Sequence, residues 1–386
     1  MIYSRFKWSR NSYLELKDVS SAYIYYRHKR VNLITGFPET YSFHLFLNEL
    51  EKISLQEHFK IPRVYHFYFE LGAIINGLGH LVNDETPLVM EIEYQKSGFK
   101  TVKTPRLKSI SLKSIERPSW SEYKQAFAMA QEHLLNGNCY QLNLTYPYDF
   151  ETEDYLDPRE IADYFFYQKN ISSYAHLTVF HDEMILSNSP ECLFHYQNNK
   201  LITMPIKGTI KRSRSLKTDW KQLMENKKEE AELLMITDLL KNDLNRLDLP
   251  QAKVMKLRAP LIVPQLLHQY SLIEVNLEHK VSLNKVIHCL FPGGSVTGAP
   301  KKRVLEILSE IERYSRGIYC GSTLLCYKDK KVANINIRTA SVSLSDRLWR
   351  YSAGGGITLL SRPVHEFNEM EAKLNSFLTL LKTPGY

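Results

Sequence analysis

No stretch of about eighteen apolar residues occurs in the 386-residue sequence, so nothing in it has the length and hydropathy of a membrane-spanning helix. The opening residues Met1 to Arg10 carry several charges where a secretory signal has an apolar core. These two absences point to a cytoplasmic protein without membrane attachment. The five cysteines, Cys139, Cys192, Cys289, Cys320 and Cys326, include no C-x-x-C pair and are odd in number, which argues against a zinc site and a disulfide framework. They read as reduced thiols in packed positions. There is no internal repeat and no low-complexity segment. The net charge of +8 comes from basic residues scattered along the chain, with the densest run from Lys207 to Lys217. An excess this diffuse suits solubility, or attraction of an anionic substrate, better than binding to nucleic acid.

What is present is enough apolar material for a large core, at 44% hydrophobic residues against 24% charged. The sequence changes character near Arg117-Pro118. Before it, short aromatic and β-branched runs such as Tyr23 to Tyr26 and Val64 to Phe69 read as strands, giving a β-rich N-terminal portion over residues 1–118. After it, Ser119-Trp-Ser-Glu122 is a capping box that opens a helix with Tyr123, Phe127, Ala130 and Leu134 on one face and Gly137 at its end. A strand from Tyr140 to Thr145 should follow. Further helices are expected over about Asp219 to Leu244, after Pro300, and from Pro363 to about Leu380. Strand-like stretches lie at Ser322 to Tyr327, Val332 to Val342 and Leu348 to Ser352. Residues 119–386 therefore form a second, catalytic-looking domain. The irregular mixing of strands and helices favours α+β over a βαβ array.

Several groups of residues have chemical potential. Glu229 and Glu232, and again Glu366 and Glu369, stand at i, i+3 on expected helices, where four carboxylate oxygens from two helices suit a hard divalent cation such as magnesium. The same spacing also describes a solvated acidic face. The run Pro292-Gly-Gly-Ser-Val-Thr-Gly-Ala-Pro300 leads into a helix, and so presents N–H groups to an anion or simply makes a tight turn. No Gly-Lys-Ser/Thr follows at Walker spacing. Lys207 in Pro205-Ile-Lys-Gly-Thr209 is either a surface charge or an amine available as a nucleophile. Arg338, inside the strand-like Ile335 to Thr339, calls for a partner, and a carboxylate is the usual one.

In order along the chain, Ser189-Pro-Glu191, Pro205 to Thr209, Glu232 to Asp243, His268 with Ser271, Gly293 to Lys301, Tyr319-Cys-Gly321, Ile337-Arg-Thr339, Ala353 to Ile357 and Glu366 to Lys373 resemble the chorismate-utilising enzymes. That family includes the anthranilate, aminodeoxychorismate, isochorismate and salicylate synthases. The resemblance implies the family fold, antiparallel β-sheets packed as a sandwich with helices outside. It also implies a Mg2+ cofactor, with Glu232 and Glu369 as ligands and Glu229 and Glu366 close by. Chorismate is the implied substrate, its ring carboxylate on the metal near Lys373. Arg338 and Tyr319 would hold the enolpyruvyl carboxylate, and Gly355, Gly356, Thr297 and Thr209 would contribute further contacts. His268 matches a family active-site histidine.

Position within the family follows from two residues. The lysine with which isochorismate and salicylate synthases activate water is here Gln141, which cannot take a proton, so the resemblance implies ammonia as nucleophile. Lys207 stands where anthranilate synthases have alanine and many aminodeoxychorismate synthases have lysine. The implied activity is formation of 4-amino-4-deoxychorismate through a Lys207 adduct with Glu191 as acid, and the rival is that of anthranilate synthase component I. For these roles Lys207 should have a lowered pKa and Glu191 a raised one. None of the cysteines lies in a Gly-x-Cys-x-Gly elbow, so a separate glutamine amidotransferase is expected to supply ammonia. Cys192 in place of the frequent arginine, Lys241 in place of the arginine of Arg-Asn-Asp, and His268-Gln-Tyr-Ser271 mark a divergent member.

Overall fold

The computed structural model describes residues 1–213, 215–247, 250–263 and 266–382. Its strands belong to one antiparallel ladder that closes on itself. Sequence neighbours begin it: Ile2–Ser9 pairs with Ser12–Tyr25, which pairs with Val89–Thr101. The ladder then crosses the chain. Ile2–Ser9 also pairs with His176–Phe180, and Phe59–Phe67 pairs with Ser322–Lys328. Strands from either side of residue 118 thus interleave, and the two faces of the expected sandwich are parts of one hydrogen-bonded sheet. The α+β class and the antiparallel sheet are as the sequence implies. The five cysteines are free and buried, and no helix among the described residues is long and apolar enough to cross a membrane.

The local signals explain where elements begin. Ser119 and Glu122 exchange both hydrogen bonds of a capping box at the start of Trp120–Leu135, and Gly137 follows that helix at a φ of +71°. The helix expected over Asp219 to Leu244 is instead two helices, Leu216–Glu225 and Lys227–Asn245. Asn226 leaves helical geometry at ψ 100° and its side chain accepts from the Glu229 N–H, so a strong N-cap resets the helix just before the acidic pair.

Two helices then place the acids. Leu233, Ile236, Leu240 and Leu244 are the buried stripe of Lys227–Asn245, and Thr237 on the same face hydrogen-bonds Ser271 of the strand Leu266–Asn276 at 2.8 Å. Glu232 lies at the edge of that stripe and is buried with it. The C-terminal helix Pro363–Lys382 packs on the strand Leu348–Ile357, where Tyr351 stacks on Phe377 with ring centroids 4.3 Å apart. Such a pair contributes about 1 kcal/mol beyond its buried area. It fixes the helix that carries Glu366, Glu369 and Lys373.

Candidate active site

The site is built where the Lys227–Asn245 and Pro363–Lys382 helices meet the strands Ile206–Lys211 and Leu348–Ile357. Lys207 points from a bulge: its strand slips register against Leu266–Asn276 between Lys207 and Thr209, and Gly208 between them has a φ of +72°. A Cβ on Gly208 would come within 2.8 Å of the Gln269 amide, so both the conformation and the packing require glycine. The Lys207 ammonium lies 3.4 Å from Glu232 Oε2. Lys228 reaches Glu366 Oε1 at 2.7 Å and Glu232 Oε1 at 3.8 Å. Lys373 pairs with Glu369 at 2.9 Å and donates to the Gly354 carbonyl at 2.7 Å. Three lysines thus neutralise a cluster of glutamates drawn from two helices.

Burial raises the Glu229 carboxyl above its ordinary value, and the charges of Glu232 and Glu369 add to the rise, with Lys207 and Lys228 opposing it. Glu369, at the exposed rim, goes the other way. Partial burial opposes its ionisation, but Lys373, Lys228 and Lys207 together bring it below the usual range. The four glutamates therefore share one field. Among the described residues no three of them form a group placed to ligate one ion. As a donor set, oxygen ligands from two rigid helices fit a hard divalent cation.

Glu191 faces the same space. Its backbone pairs with Ile335, and its N–H is held by the Ser189 hydroxyl at 3.2 Å. Burial lifts its carboxyl above the ordinary value, in the direction the sequence implied, while Ser295 and the Lys207 and Lys373 charges offset part of the rise. The Ser295 hydroxyl lies beside it without strict hydrogen-bond geometry. Lys207 departs from expectation. Burial does favour its neutral amine, but Glu232, Glu191 and Glu229 outweigh burial and raise its pKa. With these carboxylates unshared, Lys207 is an ammonium.

The glycine run is explained by its neighbours. A Cβ on Gly355 would stand 3.5 Å from Glu366 Oε2 and 4.0 Å from Lys373 Nζ, and one on Gly356 would collide with the Gln141 amide nitrogen. A Cβ at Gly355 would make ordinary contact with the acids, whereas the collision at Gly356 requires glycine beside Gln141. The Gln141 side chain is fully buried, and among the described residues neither of its amide atoms has a partner. Thr297 is fully buried, and its hydroxyl donates to the Gly293 carbonyl at 3.0 Å, within its own loop.

Arg338 does not lie inside a strand. The strands Lys330–Ile335 and Thr339–Ser343 are separate, and Arg338 sits in the break with a φ of +51°. A non-glycine residue in that region costs about 1 kcal/mol, which local structure must hold. Its guanidinium is half-buried and pairs with no carboxylate among the described residues. His268 is close enough that burial and then the Arg338 charge push its imidazole down to about 4, so it is neutral near pH 7. Tyr319 is buried, and Tyr351 stands within the electrostatic reach of both Tyr319 and Arg338. No hydrogen bond joins Tyr319 to Arg338 among the described residues. The Thr209 side chain lies outside the described residues.

Sequence reasoning missed Lys228 and the clamp behind the loop, whereas Ser295 lies in the Gly294 to Thr297 stretch whose hydroxyl groups the resemblance implied. Arg316 donates to the Val296 carbonyl at 2.8 Å, to the Asn143 carbonyl and to Glu312, which in turn accepts from Thr145. This buried pair ties the Gly293–Thr297 loop to the Gln141–Glu151 strand. Lys228 had a signal, since it lies one turn before Glu232. Arg316 had none. Cavities of about 210 and 380 Å³ occur elsewhere, but neither is lined by Lys207, Glu191 or the four glutamates.

Fold and site together define an enzyme-like centre of paired acids, a buried lysine and an arginine with no carboxylate partner among the described residues, and the chain belongs to the chorismate binding enzyme family, whose profile matches residues 76–379. Among its relatives, aminodeoxychorismate synthase component 1 of Salmonella typhimurium is 34% identical over 67% of this chain and 57% of its own length. Anthranilate synthase component 1 of Saccharolobus solfataricus is 33% identical over 68% of the chain and 62% of its own length. The matches therefore span less than two thirds of these relatives. The crystal structure of anthranilate synthase component I from Streptococcus pneumoniae superposes with a TM-score of 0.78, covering 95% of this chain and 92% of that one at 20% identity, which shows a shared fold.

Proposed function

We propose that this chain converts chorismate and ammonia to 4-amino-4-deoxychorismate, the precursor of 4-aminobenzoate in folate synthesis. The observation that carries the reading is Lys207, set on its bulge beside Glu232 and facing the protonatable Glu191. Relatives named aminodeoxychorismate synthase component 1 in Salmonella typhimurium and Escherichia coli, each 34% identical, support it.

A magnesium ion held by Glu232 and Glu369, with Glu229 and Glu366 nearby, would make the ring carboxylate of chorismate an electron sink. The chain's own residues do the rest. Arg338, which pairs with no carboxylate among the described residues, takes the enolpyruvyl carboxylate through its planar fork. The Lys207 ammonium gives its proton to water, and the free amine bonds to C2 of the ring. Both ring double bonds shift, C1=C2 to C1=C6 and C5=C6 to C4=C5, the C4–O bond breaks, and Glu191 gives its proton to the departing hydroxyl, which leaves as water. Ammonia then bonds to C4 and loses a proton to the Glu191 carboxylate, both double bonds return to their first positions, and the C2–N bond to Lys207 breaks, which restores the free amine. Gln141, buried where a water-activating base would stand, offers no proton acceptor of the needed strength, so water does not compete as nucleophile. Ammonia is supplied by a separate glutamine amidotransferase, and ammonium salt substitutes for it in solution.

The test is to incubate the purified chain with chorismate, magnesium chloride and ammonium salt at mildly alkaline pH, with and without Lys207→Ala. Aminodeoxychorismate from the parent chain and none from the variant is the expected result. Fluorescent anthranilate as product would replace this reading with that of anthranilate synthase.

A further inference from the structure

One cation at the site has no part in the chemistry above. Lys228 lies in the first turn of the Lys227–Asn245 helix, where a positive charge opposes the helix dipole. Its side chain nevertheless turns to the acids rather than to solvent, 2.7 Å from Glu366 on the C-terminal helix and 3.8 Å from Glu232 on its own. Glu366 is the reason. Its side chain is only 3% exposed, and Lys228 is the donor that reaches its carboxylate among the described residues. A carboxylate so desolvated needs a cation beside it at all times.

Lys228 itself is 36% exposed, so its ammonium can leave for water without opening the core. The Lys301–Asp243 pair is built differently, with both partners at most 10% exposed, as befits a permanent tie. A lysine suits a removable charge because it is a compact ammonium on a flexible four-carbon stem.

Building on the magnesium reading above, we propose that Lys228 is a tethered counter-cation, holding the space between Glu366 and Glu232 until a divalent ion displaces it, and so setting how tightly that ion binds. Ion binding is then an exchange: one ammonium goes to solvent as one metal ion enters. The other groups facing this space are Glu229 on the same helix, Glu369 and Lys373 on the C-terminal helix, and Lys207 on its strand. Lys207 and Lys373 remain in place because each also interacts with a group outside the four glutamates, the Glu191 charge for the first and the Gly354 carbonyl for the second, whereas both partners of Lys228 belong to them.

The experiment is a calorimetric titration of the substrate-free chain with magnesium chloride, comparing the parent, Lys228→Met and Lys228→Arg, with melting temperatures recorded with and without the ion. Removing a competing charge at this distance should tighten magnesium binding by about tenfold in Lys228→Met. The same variant should melt lower than the parent without magnesium, since Glu366 has lost its counter-charge, and should gain more than the parent when the ion is added. Lys228→Arg should bind magnesium like the parent. Unchanged or weaker binding in Lys228→Met, with the parent still binding, would mean that Lys228 is a brace between the helices and would overturn the inference alone. Failure of the parent and both variants to bind magnesium would overturn the metal reading together with it.

Discussion

Lys207 Nζ lies 3.4 Å from Glu232 Oε2, so the proposed nucleophile and a proposed metal ligand hold each other in the unliganded chain. The pair keeps both side chains in place and keeps the lysine charged. Readiness for chemistry therefore requires that the carboxylate be shared with another positive centre.

Replacing Lys207 separates these two roles. Lys207→Arg retains a cation beside Glu232 but cannot form the adduct, so it should melt within a few degrees of the parent while losing on the order of a thousandfold in turnover. Lys207→Ala should lose as much activity and more stability. Steady-state rates with ammonium as nitrogen source, read beside thermal melts, check this; appreciable turnover by Lys207→Arg would exclude covalent catalysis.

Glu191 is buried with its pKa raised, and its proposed task is to give up a proton. Glu191→Gln keeps the shape and a hydrogen bond but has no acidic proton, so kcat should fall by about 10² to 10⁴ while KM for chorismate changes little. A rise in KM at unchanged kcat would assign Glu191 to binding instead.

Arg338 combines a charge that pairs with no carboxylate among the described residues with a φ of +51°. Losing a charged hydrogen bond to a substrate carboxylate should weaken chorismate binding about tenfold or more in both Arg338→Ala and Arg338→Gly. The two should differ in stability, with the glycine variant higher by about 1 kcal/mol because it adopts the left-handed backbone without strain. Equilibrium binding and denaturant titrations of the same two proteins decide both points.

Acid should unfold the chain through buried histidines. Burial lowers the His176 pKa to about 4 and that of His66 well below 6.5, and among the described residues the His176 Nε2 has no partner to accept the added proton's charge. In the unfolded chain each titrates near about 6.5. The folded state then binds fewer protons than the unfolded one in this window, so stability is full above about pH 6.5 and declines as pH falls toward about 4. The His176 contribution amounts to about 3 kcal/mol. Urea titrations across this range should show the decline, and His176→Gln should make it shallower.

Arg316 is buried, with its side chain paired to Glu312 at 2.8 Å and bonded to the Val296 and Asn143 carbonyls. Arg316→Met leaves Glu312 as a buried carboxylate and frees the glycine-rich loop, so it should cost about 3 to 5 kcal/mol. A loss below about 1 kcal/mol in a denaturant titration would show that the clamp is not structural.

Much of this protein was legible in sequence because its signals are local. The capping box at Ser119, the apolar face of Trp120–Leu135, the helix opened by Pro363 and the free buried cysteines need only neighbouring residues to specify them. The i, i+3 glutamates share a helix face for the same reason. Other features were set by contacts between distant residues. The split at Asn226 competes with a continuous helical pattern on either side, and the break at Arg338 interrupts an otherwise strand-like run. Strands far apart in the chain close the ladder, and no local pattern encodes that pairing. Which lysine meets which glutamate, and hence the raised pKa of Lys207, depends on the approach of two helices to two strands. Sequence alone determined which side chains could do the chemistry; the tertiary structure decided their charges, because charge depends on burial and on neighbours that only folding brings within a few ångströms.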